Sequence, residues 1–581
     1  MSPSTPTSPN RSDLAALRAR PTARVLVIGG GINGIATFRD LALQGVDVVL
    51  VERGDFVSGA SSASSHMVHG GIRYLENGEF RLVNESVVER NGLIRIAPHY
   101  VKPLQTTVPI FSTFSGILSA PLRFVTHKQG KPKERGAALI KVGLTIYDTF
   151  SRDGGSVPRH RFLGRRKALA DLPKMNPGLK YTATYYDASM HDPERIALDV
   201  LHDGVVAGGD RARAVNHLEA VGAAGGAVTV KDALTGETFD ITADIVVNTS
   251  GPWTDLTNAA LGTPTTFMGG TKGSHIVLDN PELVAATKGR EIFFEHSDGR
   301  IVLIYPLKGR VMVGTTDIDA DPSQPVVCTE EEVDYFFDLV KHVFPTIAVD
   351  RSQIVYRFSG IRPLPRHDDT APGFVSRDYR IEEGTLGGTP TLSLVGGKWT
   401  TFRALAEHLT NEVLQRLGVE RTVSTAGLAI GGGKDWPADD AARRAWVSAN
   451  AAGLPAERVE QLLERYGTRA VETIAAVTAA GAAAAGTDDQ PLVNDRAYSV
   501  GEIAHLVRAE QVVHLDDLLL RRTSLAFVGG LSRELLDEIA TIAAAELGWD
   551  DARRTAEIEA VVALLRDAHG VELGVVTTTG A

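Results

Sequence analysis

The sequence predicts a chain of mixed α/β and α+β class. A Rossmann-type dinucleotide-binding domain is interleaved with an antiparallel β-sheet domain, and an all-helical domain follows at the C-terminus. Three observations carry this. Residues 24–54 read RVLVIGGGINGIATFRDLALQGVDVVLVERG, a strand, a glycine turn, a helix and a second strand. Residues 270–365 hold five short β-branched and aromatic runs. Residues 436–570 are rich in Ala, Leu, Glu and Arg at helical spacing.

Each part of the first unit has a physical task. Val25 to Ile28 is apolar enough for a buried strand. Gly29, Gly31 and Gly34 form G-x-G-x-x-G: the first permits a tight turn, the second lets the backbone approach a pyrophosphate, and the third lets helix and strand pack closely. The pyrophosphate then sits on a helix N-terminus, where free N–H groups and the helix dipole favour negative charge. Ile35, Phe38, Leu41 and Ala42 give the helix its apolar face, Gln44-Gly45 closes it, and Val46 to Val51 is the second strand. Glu52 at its end is placed to accept hydrogen bonds from an adenosine ribose.

The other elements follow in order. Residues 1–20 begin MSPSTPTSPNRSD, without the apolar core of a signal peptide, and read as a disordered tail. Ser58 to Ser65 is a hydroxyl-rich loop or helix start that leads to His69-Gly70-Gly71. Phe80, Val83, Val87, Leu93 and Ile94 predict a helix over 79–96. The apolar-rich stretch from Pro103 to Leu122 contains three prolines and several hydroxyls, too broken to span a membrane. Between Arg123 and Lys141 six cations (Arg123, Lys128, Lys131, Lys133, Arg135, Lys141) face Glu134 alone. Apolar residues beside clustered cations suit an anionic membrane surface, and a solvated loop is the competing reading.

Residues 196–207 read as helix, and 245–251 as a strand running into a small-residue turn at Ser250-Gly251, where strand ends of a doubly wound sheet meet a cofactor. SHIVL, EIFFEH, RIVLIYPL, RVMVGTTD and IVYRFSGIRPL build a second, substrate-facing layer. Thr391 to Val395 is a further buried strand. Gly396-Gly397-Lys398 and a helix from Thr400 to Leu417 repeat the logic of the opening turn, a helix N-terminus aimed at an anion. Past Gly431-Gly432-Gly433 the chain turns helical, with breaks at Gly453-Leu454-Pro455 and Asp488-Asp489-Gln490-Pro491.

Composition narrows the function classes. The chain has 581 residues, enough for about two to four domains, with 43% hydrophobic and 23% charged residues as in ordinary globular protein. A net charge of −11 argues against general nucleic-acid binding. Cys328, the single cysteine, excludes a disulfide framework and an all-cysteine metal site and fits a reducing compartment. No metal is expected.

In this order, VLVIGGGINGIATFRDLALQG, SSASSHMVHGGIRYLE, NTSGPWTD, GTKGSH, VGTTD, SGIRPL, SRDY and LVGGKWTTFR resemble the FAD-dependent (aerobic, respiratory) glycerol-3-phosphate dehydrogenases. RYGTRA and DDLLLRRTSLAF resemble their helical cap. The resemblance runs from about Arg24 to about Leu565. SSHMVHGGIRYLE and SGIRPL are specific to it, whereas NTSGPW is shared with glycine- and D-amino-acid-oxidase-like flavoproteins. It implies a glutathione-reductase-type FAD-binding fold with an oxidoreductase region at 21–430 and a helical domain at 436–570. The FAD-binding domain is discontinuous, at roughly 21–100, 190–260 and 360–420, around the substrate domain. Also implied are non-covalent FAD, sn-glycerol 3-phosphate as substrate, dihydroxyacetone phosphate as product and a membrane quinone as acceptor. The expected place is cytoplasmic, peripheral at the inner face of the plasma membrane, and a homodimer stays open.

Oxidising a secondary alcohol needs a hydride acceptor, a base for the hydroxyl proton and donors for the developing alkoxide. Flavin supplies the first without a metal. His69 is the favoured base, because an imidazole pKa of about 6.5 lies near working pH and Gly70-Gly71 allow close approach. The bland alternative is a histidine tucked against backbone. Arg362 is the other catalytic candidate, better suited to hold alkoxide or phosphate, since a guanidinium keeps its proton.

By family match Arg73, Tyr74, Arg362, Arg377 and Lys398 bind the substrate, the arginine forks suiting phosphate. The expected FAD contacts are Gly29, Gly31, Asn33, Gly34, Glu52 and Arg53 for the ADP half. Ser61, Ser62, Ser65, His69, Gly70 and Gly71 line the path to the ring, Gly251 sits at its strand turn, and Gly396, Gly397, Thr400 and Thr401 form the other face. Where the family has threonine then tyrosine after the lysine, this chain reads Lys398-Trp399-Thr400-Thr401-Phe402, without the phenol. His66, His275 and His296 lack a comparable argument and read as structural or peripheral.

Four rivals compete: an oxidase that passes electrons to oxygen and releases hydrogen peroxide, a relative acting on a carboxylate, a non-catalytic flavin-binding scaffold at the membrane, and an NAD-linked dehydrogenase. Arg362, Arg377 and Lys398 together favour phosphate over carboxylate, and a base beside the ring argues against the scaffold. The second glycine-rich helix start at 396–401 suits a flavin better than NAD.

Overall fold

Three stretches far apart in sequence make the centre of the first sheet. The computed structural model describes residues 11–71, 80–112, 158–296, 300–366, 378–481 and 489–573, with 140, 141, 144, 145 and 148. Thr22–Ile28 pairs in parallel with Val48–Val51 on one side and Thr238–Asn248 on the other. Ala212–Val215 and Thr389–Val395 extend the sheet in parallel, and Arg380–Leu386 closes one edge antiparallel. Strands covered on both faces carry unbroken apolar runs, and Val25 to Val27 and Val48 to Leu50 are wholly buried. Helices Ile32–Leu43, Pro193–Gly208 and Phe402–Leu417 cover one face.

The other face carries the hairpin Leu218–Ala224/Ala227–Asp232 and the helix Ser12–Ala19. That helix corrects the expectation of a disordered tail through residue 20. Leu14 and Leu17 are buried, and Arg11 pairs with buried Asp232 at 2.8 Å, which holds the segment on the sheet. The Ser/Pro/Thr-rich residues 1–10 lie outside the described residues.

The second sheet contains the expected runs. Met268–Leu278 pairs along its length with Ile354–Pro365, and Arg310–Gly314, Ile301–Leu307 and Glu291–Glu295 continue it. It is antiparallel except where Glu291–Glu295 meets Val101–Ile110. The third FAD-domain segment therefore starts near residue 380 rather than 360, because 354–365 belongs to this sheet. Val101–Ile110 and Tyr181–Met190 were not legible as strands. Their burial does not alternate, and Pro103 and Pro109 obscure the pattern; both lie outside the short parallel pairing at Thr106 and Thr107. Val108 to Ile110 are thus laddered to Tyr181–Ala183 rather than free for a membrane. Arg123, Lys128, Lys131, Lys133 and Arg135 lie outside the described residues. Helices Pro281–Thr287 and Glu330–Val343 back the sheet.

The C-terminal region is helical as expected, from Asp440–Ala449 to Asp551–His569. Its core is not its own, however: Leu462, Leu506 and Ile539 join one apolar cluster with Leu303, Tyr356 and Phe358 of the second sheet. A buried ionic lock ties the cap to the Rossmann domain. Asp55, three residues past Glu52, accepts from Asn216 Nδ2 at 2.9 Å, from Arg522 Nη2 at 2.9 Å and from Arg521. Arg521 also reaches Asp516 at 2.9 Å and Asp517 at 2.7 Å, and Asp517 meets His217 Nε2 at 3.2 Å. Among the described residues no helix is long and apolar enough to cross a membrane.

Candidate active site

The opening glycines are demanded by the space around them. Gly29 has φ +109°, and a Cβ there would lie 2.8 Å from the Thr249 carbonyl oxygen. On Gly34 it would lie 2.0 Å from the Gly29 carbonyl oxygen and 2.5 Å from Thr249 Oγ1. Gly31 caps helix Ile32–Leu43, whose Ile32 N–H is taken by Ser61 Oγ at 3.0 Å. The Glu52 carboxylate accepts from the Gly30 and Gly54 N–H groups at 2.6 and 2.9 Å. Burial raises its pKa, and those two donors pull it back. Gly29, Gly31, Asn33, Glu52, Arg53 and Gly251 line one groove, in which the Arg53 guanidinium stacks 4.7 Å from the Trp253 ring.

The groove opens into a cleft of about 350 Å³ between the two sheets. Asn33, Ser61, Ser65, His69, Gly71, Gly396, Gly397 and Thr400 line it together with Arg362 and Lys398. Gly397 has φ +118°, and a Cβ on it would fall 2.4 Å from Asn33 Nδ2, so the two glycine turns meet. Trp399 Nε1 donates to the Ser61 carbonyl at 2.9 Å and ties the walls. Thr400 Oγ1 donates to the His69 carbonyl at 3.3 Å, and the Gly70 N–H donates to Asp187 Oδ1 at 2.8 Å, so the His69-Gly70 backbone is held from both sides. Asp187 is itself fixed by Arg90 Nη1 at 3.1 Å. Ser62 is a correction: its hydroxyl donates to the Gly59 carbonyl and it faces a neighbouring cavity instead of the cleft. Arg73, Tyr74 and Arg377 lie outside the described residues.

Arg362 is clamped. Nη1 pairs with Asp317 at 2.8 Å, and Nη2 donates to Thr315 Oγ1 at 3.1 Å and the Thr316 carbonyl at 2.8 Å. Lys398 Nζ lies 3.5 Å from Ser86 Oγ. His275, passed over in the sequence, lines the same cleft. Residues opposite one another in an antiparallel pair share a face, and His275 opposes Phe358 two pairs from Gly273 and Gly360, four from Thr271 and Arg362. Its ring stacks on Phe358 at 4.7 Å and 9°, and Nε2 lies 2.9 Å from Ser65 Oγ. Burial, with the Arg362 charge nearby, pushes its pKa down to about 3, so the ring is neutral.

Asn33 Oδ1 and Thr401 Oγ1, each beside a helix start, are buried without a hydrogen-bond partner, as is His275 Nδ1. With the positive-φ glycines they fit FAD laid from Glu52 towards Lys398. Residues 24–412 match a family model described as FAD dependent oxidoreductase, and 388–554 one described as the C-terminal domain of alpha-glycerophosphate oxidase. A glycerol-3-phosphate dehydrogenase of Synechocystis sp. is 33% identical over 525 residues, covering 87% of this chain and 89% of the relative. This chain belongs to that FAD-dependent family. A D-erythritol 1-phosphate dehydrogenase of Brucella abortus is 31% identical over 517 residues, covering 86% and 94%. The fold of this dehydrogenase-family chain is also that of the Bacillus halodurans glycerol-3-phosphate dehydrogenase complexed with FAD, with TM-score 0.73, 23% identity and 97% and 98% coverage.

Proposed function

We propose that the chain oxidises sn-glycerol 3-phosphate to dihydroxyacetone phosphate and passes the electrons to a membrane quinone. The observation that carries the substrate reading is one cleft holding His69, Arg362 and Lys398 together beside the FAD cradle. FAD, when bound, supplies the hydride acceptor. His69 takes the hydroxyl proton. Its backbone is pinned by Thr400 and Asp187, which limits its wandering before the substrate arrives. Arg362 keeps its charge beside Asp317 and holds the developing alkoxide. Lys398 and, by family match, Arg73, Tyr74 and Arg377 receive the phosphate. The cation-rich stretch at 123–141 supports an acceptor at an anionic membrane.

The test is the visible spectrum of the purified holoenzyme without oxygen. sn-Glycerol 3-phosphate bleaches the flavin bands and unphosphorylated glycerol does not. D-erythritol 1-phosphate belongs in the same panel, because a relative carries that name. Colour returning with a quinone but not with air supports the quinone reading, and fast return with air makes the chain an oxidase. A flavin that no polyol phosphate bleaches refutes the substrate reading.

A further inference from the structure

The Arg362 guanidinium lies against bare backbone. A Cβ on Gly273 would fall 2.3 Å from Arg362 Nη2 and 2.6 Å from Cζ, so only a glycine leaves it room. Besides Asp317 and the Thr315 hydroxyl, two carbonyl oxygens accept from it, that of Thr316 at 2.8 Å and that of Lys272 at 3.3 Å. Where those two carbonyls sit helps to decide where the guanidinium sits.

Both carbonyls belong to residues whose side chains are gathered outside the cleft. Successive side chains of a strand point to opposite faces. In strand Met268–Leu278, Gly273 and His275 line the cleft, while Ile276 and Leu278 pack with Val333 and Phe336 of helix Glu330–Val343. Lys272 and Ser274 therefore face the helix, and Glu332 meets them there. Its Oε2 accepts from Lys272 Nζ at 2.8 Å and from the Thr329 N–H at 2.9 Å, and its Oε1 accepts from Thr316 Oγ1 at 2.6 Å. Thr316 Oγ1 in turn accepts from the Ser274 N–H at 3.0 Å, between the two cleft residues of that strand.

This cluster is closed to water: Lys272, Ser274, Thr316 and Glu332 are all buried. Burial alone would raise the Glu332 pKa, and the donors from Lys272, Thr316 and Thr329 bring it below the ordinary carboxylate value, so the group is ionised. A buried ion pair of this kind contributes little net stability, because desolvation of both charges offsets their attraction. What it fixes is position.

We propose that Glu332 is a positioning residue for the oxidation step: through Lys272 and Thr316 it sets the two carbonyls that aim Arg362 at the developing alkoxide. Glu332 itself lies on the far side of the strand from the cleft. The proposal rests on the role given to Arg362 above. Because the alkoxide charge develops only as the hydroxyl proton leaves, a displaced guanidinium slows the step while the phosphate contacts still hold the substrate.

The experiment is anaerobic bleaching of the holoenzyme by sn-glycerol 3-phosphate over a range of concentrations, which separates the limiting rate from half-saturation. Thr316→Val removes the hydroxyl at nearly constant shape, Thr316→Ser keeps it, and Glu332→Gln removes the charge. In Thr316→Val and Glu332→Gln the limiting rate falls by about 10- to 100-fold, the cost of a misplacement of up to about 1 Å, and half-saturation moves by less than about twofold. Thr316→Ser restores the rate to within about twofold of wild type. In an Arg362→Ala background Thr316→Val costs nothing further, because no guanidinium is left to aim. An unchanged limiting rate in both variants, or an equal further loss in the Arg362→Ala background, overturns the positioning role. If sn-glycerol 3-phosphate does not bleach the wild type, or bleaches Arg362→Ala as fast, the function reading fails and takes this role with it. Should Glu332→Gln strand the Lys272 charge and fail to fold, Thr316→Val decides, since it leaves the Lys272–Glu332 pair in place.

Discussion

Replacing Arg522 with methionine probes the lock between cap and Rossmann domain. Arg522 and Asp55 are both fully enclosed, and their charges answer one another with no water between. Arg522 also donates twice to the Glu510 carbonyl, at 2.8 and 3.2 Å. Removing one partner of a buried ion pair costs about 3–5 kcal/mol, because a charge is left without its counter-charge. Here Asp55 keeps Arg521 and Asn216, which places Arg522→Met at the lower end, about 3 kcal/mol. At roughly 2–4 °C per kcal/mol for a unit of this size, the cap transition falls by roughly 6–12 °C. Differential scanning calorimetry at fixed, saturating FAD reads this, since bound cofactor itself raises the melting temperature. Asp55→Leu alone is worse, leaving Arg522 without its paired carboxylate and with only the Glu510 and Asp517 carbonyls to accept from it. Asp55→Leu with Arg522→Met is milder than the sum of the two, by about 1–3 kcal/mol. A shift under about 2 °C for Arg522→Met, or strict additivity in the double variant, refutes the lock.

Gly34→Ala drives a methyl into the Gly29 carbonyl, backbone that cannot yield, and the expected product is colourless protein on purification with FAD. His69→Asn lowers kcat by about 10²–10⁴-fold and removes the acid limb of its pH profile. His275→Gln also lowers kcat but leaves that limb in place, because His275 stays neutral down to about pH 3; a lost acid limb in His275→Gln exchanges the two roles. Glu291 is wholly buried, holds one hydrogen bond, from Thr106 at 2.8 Å, and has its pKa raised by burial to about 8. Its folded pKa exceeds its unfolded one, so the folded state binds the extra proton and stability falls as pH rises from about 4.5 to about 8. Glu291→Gln flattens that fall, read as melting temperature against pH; an unchanged slope sinks the assignment.

What the sequence made legible was chemistry that neighbouring residues perform on each other. The turn at Gly29–Gly34, the acid at Glu52 and the second turn at Gly396-Gly397 announce themselves because turn, dipole and ribose acceptor lie within one βαβ unit. The capping pair Thr329 and Glu332 was equally local, and could have revealed helix Glu330–Val343. His275 was silent for the opposite reason. A histidine on a strand acquires meaning only when pairing brings Phe358 and Arg362 beside it, from more than 80 residues away in the chain. The shared core of cap and sheet is non-local in the same way, since helical periodicity tells which face is apolar and not what covers it. Helix Ser12–Ala19 is too short for its period to stand out, and its anchor Asp232 is distant.

The three-part first sheet sets a timetable for the nascent chain. Thr22–Ile28 leaves the ribosome first, but its neighbour Thr238–Asn248 and the outer strand Thr389–Val395 emerge much later, and the wall of Gly396 to Thr401 later still. At about 5–20 residues per second, the first strand waits roughly 20–80 s for the last part of the flavin cradle. Until Thr238–Asn248 emerges, Val25 to Ile28 presents an apolar strand with an open edge, the form most prone to pair with a wrong chain. Cofactor loading is thus a late event in biosynthesis, because the wall around Gly396-Gly397 is the last part of the cradle to emerge.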